Sequence, residues 1–319
     1  MSLSLRQHRI VVTGGTGFLG AAVCAQLRQR GCELLFVPSH QEFDLIDTSA
    51  VERLFREFQP EIIFHLAAEV GGIGANRREP GRFFFSNLQM GMNLIEGARR
   101  HGLRKFIQVG TVCAYPKFTP VPFREEDLWS GYPEETNAAY GIAKKALLVM
   151  LQSYRQQYGL SGIYLMPVNL FGPGDNYDPL SSHVIPALIR KCVEAQQRGL
   201  SEIEVWGSGN ASREFLYVDD CAAGLILAAE HYDEPAPVNL GANQEISIRN
   251  LVQLIVELTG YSGQVTWDHS QPDGQPRRCL DTSRAREKFG FVAQTTLRDG
   301  LISAIADYRA QVNSMTAFQ

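Results

Sequence analysis

Tyr140 and Lys144, in "NAAYGIAKKALL", could carry acid–base chemistry. On a helix the i, i+4 spacing stacks both side chains on one face. The ammonium would lower the tyrosine pKa and bind a nicotinamide ribose, leaving the phenol to give a proton to a carbonyl as hydride arrives. A second group lies in "GTVCAYPKF", which starts at Gly110 and places Thr111, Cys113 and Tyr115 close together. A buried cysteine is usually only a small hydrophobe. At the end of a parallel strand it can instead act as a base, because a nearby cation or bound cofactor favours the thiolate.

A third group is the glycine loop "VVTGGTGFLG", with Gly14, Gly17 and Gly20 between an apolar run and a helical pattern. A strand before, a helix after and a second strand soon afterwards are what a dinucleotide fingerprint requires. Gly14 allows the tight turn, and Gly17 lets a pyrophosphate approach backbone N–H groups at the helix N-terminus. An NAD-type site carries an Asp or Glu at the end of the second strand. Here the place reads "FVPSHQEFD", with Ser39 and His40 first and Glu42 several residues on, which favours a 2′-phosphate and hence NADP.

These groups need a frame. "RIVV", "ELLFV", "EIIFHLA", "KFIQV" and "GIYLMPV" read as strands. Between them lie the helical patterns "FLGAAVCAQLRQRG", "TSAVERLFREF", "FSNLQMGMNLIEGARRHG" and "YGIAKKALLVMLQSYRQQYG". Gly31, Gly102 and Gly159 stand where C-caps are expected. Apolar strands separated by helices imply an α/β doubly wound parallel sheet, Rossmann-like, covered on both faces. After Phe171 the texture changes to the turn-rich "GPGDNYDPLSS", a helix "HVIPALIRKCVEAQQRG" and a strand "IEVWG". "EFLYVDDCAAGLILAAEH" reads as a strand and helix that rejoin the sheet, and "IRNLVQLIVELTG" as one amphipathic helix. The expected division is residues 1–169 plus 214–240 as the NADP-binding domain, with 170–213 plus 241–319 as a smaller, discontinuous substrate lobe.

The 319 residues are 45% hydrophobic and 20% charged, with a net charge of −4. Nothing there points to nucleic acid or a membrane. No apolar run approaches about 18 residues and the N-terminal stretch lacks a signal layout, so a cytoplasmic location is expected. Six scattered cysteines with no CxxC pair read as free thiols, and no metal site is expected.

The glycine loop, YxxxK and Thr111 together resemble the extended short-chain dehydrogenase/reductase superfamily, whose members mostly act on nucleotide sugars. In its dehydratases the hydroxyl residue is followed by an Asp–Glu pair. This chain has Val112 and Cys113, which disfavours dehydration. "AAEVGGIGAN", "YPKF", "NLFGPGDNYDP", "SSHVIPALIRK", "VWGSGNASREFLYVDD" and "PDGQPRRCLD" closely resemble the GDP-L-fucose synthase family, collinearly to about Asp281. The resemblance implies 3,5-epimerisation of GDP-4-keto-6-deoxy-D-mannose followed by NADPH-dependent reduction at C4, in a homodimer built on helices near 83–101 and 137–158.

Residue by residue, the resemblance makes Tyr140 and Lys144 the reductase pair and Thr111 the partner of the C4 carbonyl. Cys113 becomes the epimerisation base and His183 its acid partner. Cofactor contacts are implied for Gly14, Gly15, Thr16, Gly17, Phe18, Leu19 and Gly20, for Ser39 and His40, and for Asp44 and Leu45 by the adenine. They are also implied for Leu66, Ala67, Ala68, Pro167, Leu170 and His183, with Asn169 by the nicotinamide. Lys191, Trp206, Arg213 and Asp273 fall in the GDP-sugar site, with Arg277 and Arg278 as further candidates. Many bacterial members carry a histidine–arginine pair where this chain has Gly15 and Thr16. His40 stands where they carry an arginine, Thr111 for the usual serine and Lys191 for the usual arginine. Two other functions stay open: another nucleotide-sugar epimerase or reductase, and a non-catalytic NADP-binding protein.

Overall fold

The computed structural model describes residues 3–71, 74, 78–271 and 273–316. Residues 72, 73, 75 and 76 of "VGGIGAN" lie outside it. Along the chain run β1 (Ile10–Thr13), α1 (Phe18–Gln29), β2 (Leu35–Phe36), α2 (Thr48–Phe58), β3 (Ile62–His65), α3 (Pro80–Arg100), β4 (Lys105–Val109), α4 (Ala138–Tyr158) and β5 (Gly162–Pro167). There follow β6 (Asn169–Phe171), α5 (Val184–Arg198), β7 (Glu202–Trp206), β8 (Ser212–Tyr217), α6 (Val218–His231) and β9 (Val238–Leu240). The chain closes with β10 (Glu245–Ser247), α7 (Ile248–Thr259), β11 (Gln264–Asp268), α8 (Ser283–Phe289) and α9 (Leu297–Thr316).

The main sheet has the order β2-β1-β3-β4-β5-β9, and every pairing in it is parallel. The strand order reverses between β1 and β3, so the crevice above their C-terminal ends is where a ligand binds in such sheets. The turn after β1 is built to close on that crevice. A Cβ on Gly14 would lie 2.7 Å from the Ala67 nitrogen, and Gly14 sits at φ +70°. A Cβ on Gly20 would lie 2.0 Å from the Gly14 carbonyl oxygen, so only glycine lets α1 start so near the turn.

One expectation fails. β8 does not rejoin the main sheet; it pairs parallel with β6 and antiparallel with β10 in a separate three-stranded sheet. The apolar run "GIYLMPV" divides at Val168, and β6 turns away to meet β8. The edge of β5 is filled instead by β9, with Leu165 opposite Val238 and Pro167 opposite Leu240. β7 pairs with β11, a strand the sequence pattern did not signal. The helices α8 and α9 were also missed.

Two apolar cores follow from this division. The larger gathers the main sheet with α1, α2, α3, α4 and α6, and takes in Leu280, Ala285, Phe289 and Phe291. The smaller joins α5, α7 and α9 through Leu188, Ile189, Leu251, Ile255, Leu301 and Ile305. The functional residues lie where loops of both cores meet. Gly20→Ala is expected to destabilise the fold by about 1–2 kcal/mol, because overpacking against backbone outweighs the helix propensity gained. Urea denaturation of the variant beside the parent chain measures it.

Candidate active site

Strand β4 ends at Val109, and the chain then turns tightly. The Cys113 N–H donates to Thr111 Oγ1 at 3.1 Å, which fixes the short 3-10 turn Val112–Ala114. Helix α4 lands directly on this turn: a Cβ on Gly141 would lie 2.5 Å from the Cys113 carbonyl oxygen. That contact brings Tyr140, one residue earlier, to the strand end beside the Thr111 hydroxyl, which acts to lower the phenol's pKa. One turn on, Lys144 is 2% exposed and its Nζ donates to the Val109 carbonyl at 3.2 Å. The ammonium lies 5.9 Å from the Tyr140 ring centroid.

Burial governs the electrostatics of this pair. It holds Lys144 down to about 8. It also pushes the Tyr140 phenol well up, Cys113 adding to the rise and the Thr111 hydroxyl opposing it. The lowered tyrosine pKa expected from the sequence is therefore not what this arrangement gives. Desolvation outweighs an ammonium that sits over the ring face rather than against the hydroxyl.

The thiol faces Arg278, one of the two arginines that the sequence offered as further candidates for the GDP-sugar. Arg278, 8% exposed, brings Nη1 to 3.8 Å from Cys113 Sγ and donates to Asn169 Oδ1 at 3.3 Å. Its Nε and Nη2 both donate to Gln275 Oε1, and Gln275 Nε2 donates to the carbonyls of Pro116 and Lys117. Asn169 Nδ2 in turn donates to the Glu214 carbonyl at 2.8 Å. His183 stands at the N-terminus of α5, open to the cleft but walled by the chain around it. That burial, and then the Arg278 guanidinium, hold its imidazole below the ordinary value. Arg277 turns the other way and binds Glu245 through two nitrogens. Of the two neighbouring arginines only Arg278 belongs to the site.

The four residues assigned to a GDP-sugar are brought together beyond the thiol. Lys191 Nζ donates to the Glu204 carbonyl at 2.7 Å and lies 5.9 Å from the Trp206 ring, whose indole is exposed. Arg213 donates to the carbonyls of Ser212 and Asp273, and its guanidinium is lowered to about 10 by burial and then by Arg278. Asp273 accepts from the Ser208 N–H and hydroxyl, both at 2.7 Å. These bonds keep its carboxyl below the usual range. Two half-buried cations beside an exposed aromatic suit a diphosphate carrying a base.

The crevice at the β1–β3 reversal fits a dinucleotide. The first turn of α1 has no side-chain cap at Gly17, so its N–H groups are left for an anion. Gly14, Gly15, Thr16, Gly17, Phe18, Leu19 and Gly20 form one wall, and Leu66, Ala67 and Ala68 follow β3 on the other. Ser39 donates to Glu42 Oε2 at 2.8 Å, and the exposed His40 has Asp44 at 3.9 Å. Leu45 is buried beneath them. Pro167 closes β5, and Asn169 with Leu170 opens β6, between the crevice and the cleft.

Residues 10–241 match the NAD dependent epimerase/dehydratase family. The chain is 41% identical over 300 residues to GDP-L-fucose synthase 1 of Arabidopsis thaliana, covering 94% of this chain and 93% of that protein. It is 38% identical to the GDP-L-fucose synthase of Escherichia coli K12, covering 94% and 96%. Among solved structures, a GDP-L-fucose synthetase from Naegleria fowleri bound to NADP superposes with a TM-score of 0.89 at 27% identity, over 98% of this chain and 97% of that one.

The protonation state of Lys144 sets an expectation for pH. Its pKa is depressed to about 8, so the ammonium is present below that pH and lost above it. Hydride transfer to a ketone is expected to fall as pH rises through about 8, read from the pH profile of NADPH consumption under saturating substrate.

Proposed function

The chain belongs to the NAD dependent epimerase/dehydratase family and, within it, to the GDP-L-fucose synthases; from this premise we propose that its cleft inverts C3 and C5 of GDP-4-keto-6-deoxy-D-mannose and then reduces C4. The enzyme is an NADP-dependent oxidoreductase, and the bound dinucleotide supplies the hydride. The observation that carries the reading is the union of two chemistries on one backbone turn. Thr111 and Tyr140 can hold a carbonyl oxygen, and Cys113 faces the same space from the next turn of chain.

The steps follow from the ketone. C3 and C5 both flank C4, so loss of a proton from either leaves an enolate whose charge sits on O4. Thr111 and Tyr140 donate to that oxygen. Cys113 takes the proton, with the Arg278 guanidinium beside it to compensate the sulfur's charge. His183 returns a proton to the opposite face of the same carbon, and this inverts the centre. A depressed pKa makes its imidazolium a strong acid in the moment that it is charged. Reduction then traps the product: the Tyr140 phenol gives its proton to O4 while hydride adds to C4, and Lys144 sustains the phenol. Lys191, Trp206, Arg213 and Asp273 bind the GDP portion, and Gly14–Gly20, Ser39, His40, Asp44, Leu45, Leu66–Ala68, Pro167, Asn169 and Leu170 the dinucleotide.

We infer a division of labour between two parts of the chain. We assign 1–169 plus 214–240 to the cofactor and 170–213 plus 241–319 to the sugar nucleotide, with Leu280–Phe291 returning to pack on the first core. A homodimer across α3 and α4 accords with the exposure of Phe85 and Val149 on those helices. No described helix is long and apolar enough to cross a membrane; the location we propose is the cytoplasm.

The test is incubation with GDP-4-keto-6-deoxymannose and NADPH in deuterated water. NADPH consumption with deuterium at C3 and C5 is expected; deuterium uptake at constant NADPH absorbance would remove the reductase half. Cys113→Ser is expected to slow exchange by at least about a hundredfold while reducing an already epimerised ketone far less impaired. Equal loss in both steps would take the base role from the thiol.

A further inference from the structure

Four neighbouring strands carry a polar residue at one level of the main sheet. Thr13 of β1 stands opposite His65 of β3, His65 opposite Gln108 of β4, and Gln108 opposite Tyr164 of β5. Partners in register point to the same face, so the four side chains form one row across the sheet. Each is preceded by a buried apolar residue, Val12, Phe64, Ile107 and Ile163, as a sheet covered on both faces demands. The row itself is 0–1% exposed. Four polar side chains in such a place require partners.

The row is tied to the backbone at both strands that flank the site. The Ala67 N–H donates to Thr13 Oγ1 at 3.3 Å, and Thr13 Oγ1 shares a hydrogen bond with His65 Nδ1 at 2.8 Å whose direction follows the imidazole tautomer. Gln108 Nε2 donates to the Val109 carbonyl at 2.9 Å, the oxygen that also receives Lys144 Nζ. Three buried atoms in the row have no partner among the described residues: His65 Nε2, Gln108 Oε1 and Tyr164 Oη. They are one ring nitrogen, one amide oxygen and one hydroxyl, a set that a single water satisfies with the imidazole in either tautomer.

The row lies directly under the reductase pair. Lys144 lies 5.9 Å from the Tyr140 ring, its charge lowers the His65 pKa, and Tyr140 in turn raises that of Tyr164. Burial and the Lys144 charge keep His65 neutral, so this buried face carries one cation instead of two. We propose that Gln108 is a positioning residue for the reduction, linked to His65 and Tyr164 through a bridging water, and that the row fixes the Val109 carbonyl and through it Lys144. The proposal rests on the reductase reading above and adds to it the group that aims the lysine.

Two measurements test it. In a high-resolution crystal structure of the enzyme, a water is expected within hydrogen-bond distance of His65 Nε2, Gln108 Oε1 and Tyr164 Oη; direct contacts or no water there would overturn the linked row. In kinetics, Gln108→Leu is expected to lower kcat for ketone reduction about tenfold while the KM for NADPH stays within about twofold, as misalignment of a catalytic group does. Gln108→Glu, whose protonated carboxyl keeps a donor and an acceptor, is expected to recover most of kcat. Tyr164→Phe, a milder change, is expected to lose severalfold. Thermal melting and NADPH binding identify a variant that fails to fold. A folded Gln108→Leu or Tyr164→Phe enzyme with unchanged kcat overturns the proposal, as does a loss shared equally by kcat and NADPH affinity. Should the parent enzyme reduce no ketone, the functional reading fails while the crystallographic arm still decides the row.

Discussion

The structure depends on how closely one helix meets one strand end. Helix α4 rests its glycine, Gly141, on the Cys113 carbonyl and its lysine, Lys144, on the Val109 carbonyl. The first contact is steric and admits no side chain. The second takes a charged group into a fully buried place where it donates to a carbonyl, and that burial lowers its pKa. Together they set the rotation and the height of α4 over β4. Tyr140, Thr111 and Cys113 fall into one cluster because these two contacts leave them no other arrangement.

Around that point the fold supplies two further walls. The reversal of strand order between β1 and β3 opens a crevice for a dinucleotide, and the uncapped start of α1 turns it toward anions. The departure of β6 from the main sheet to meet β8 gives the opposite wall its own small sheet, on which Arg213 is carried. Asn169 begins β6 and is held by the Glu214 carbonyl and by Arg278. It therefore joins the main sheet, the small sheet and the C-terminal loop at one residue.

What the sequence made legible was what depends on local spacing. The glycine loop, the Tyr140–Lys144 pair and the alternation of apolar strands with helices are short-range patterns, and the parallel sheet follows from them. Long-range competition was not legible. The place of β8 was decided by β9, another short apolar segment, whose claim to the β5 edge depends on where α6 delivers it. Helix α9 buries Leu301, Ala304, Ile305 and Tyr308, a stripe whose alanine and tyrosine make a weak periodic signal. Arg277 and Arg278 are indistinguishable as letters, and only the extended backbone separates them, sending one to Glu245 and the other to the thiol. The row Thr13–His65–Gln108–Tyr164 could not be found without strand register. The tyrosine pKa was misjudged because its burial, which exceeds the influence of Lys144, is a property of the assembled fold.

The guanidinium beside Cys113 comes from a residue 165 positions further along the chain, on a segment fastened by Gln275 to the carbonyls of Pro116 and Lys117. During synthesis the glycine loop, the tyrosine–lysine helix and the cysteine all leave the ribosome well before Arg278 does. A growing chain can thus assemble most of its dinucleotide crevice while its sulfur still has no cation opposite it. The thiol is completed late, by docking of the final segment, and a truncated or half-made chain carries an unassisted sulfur.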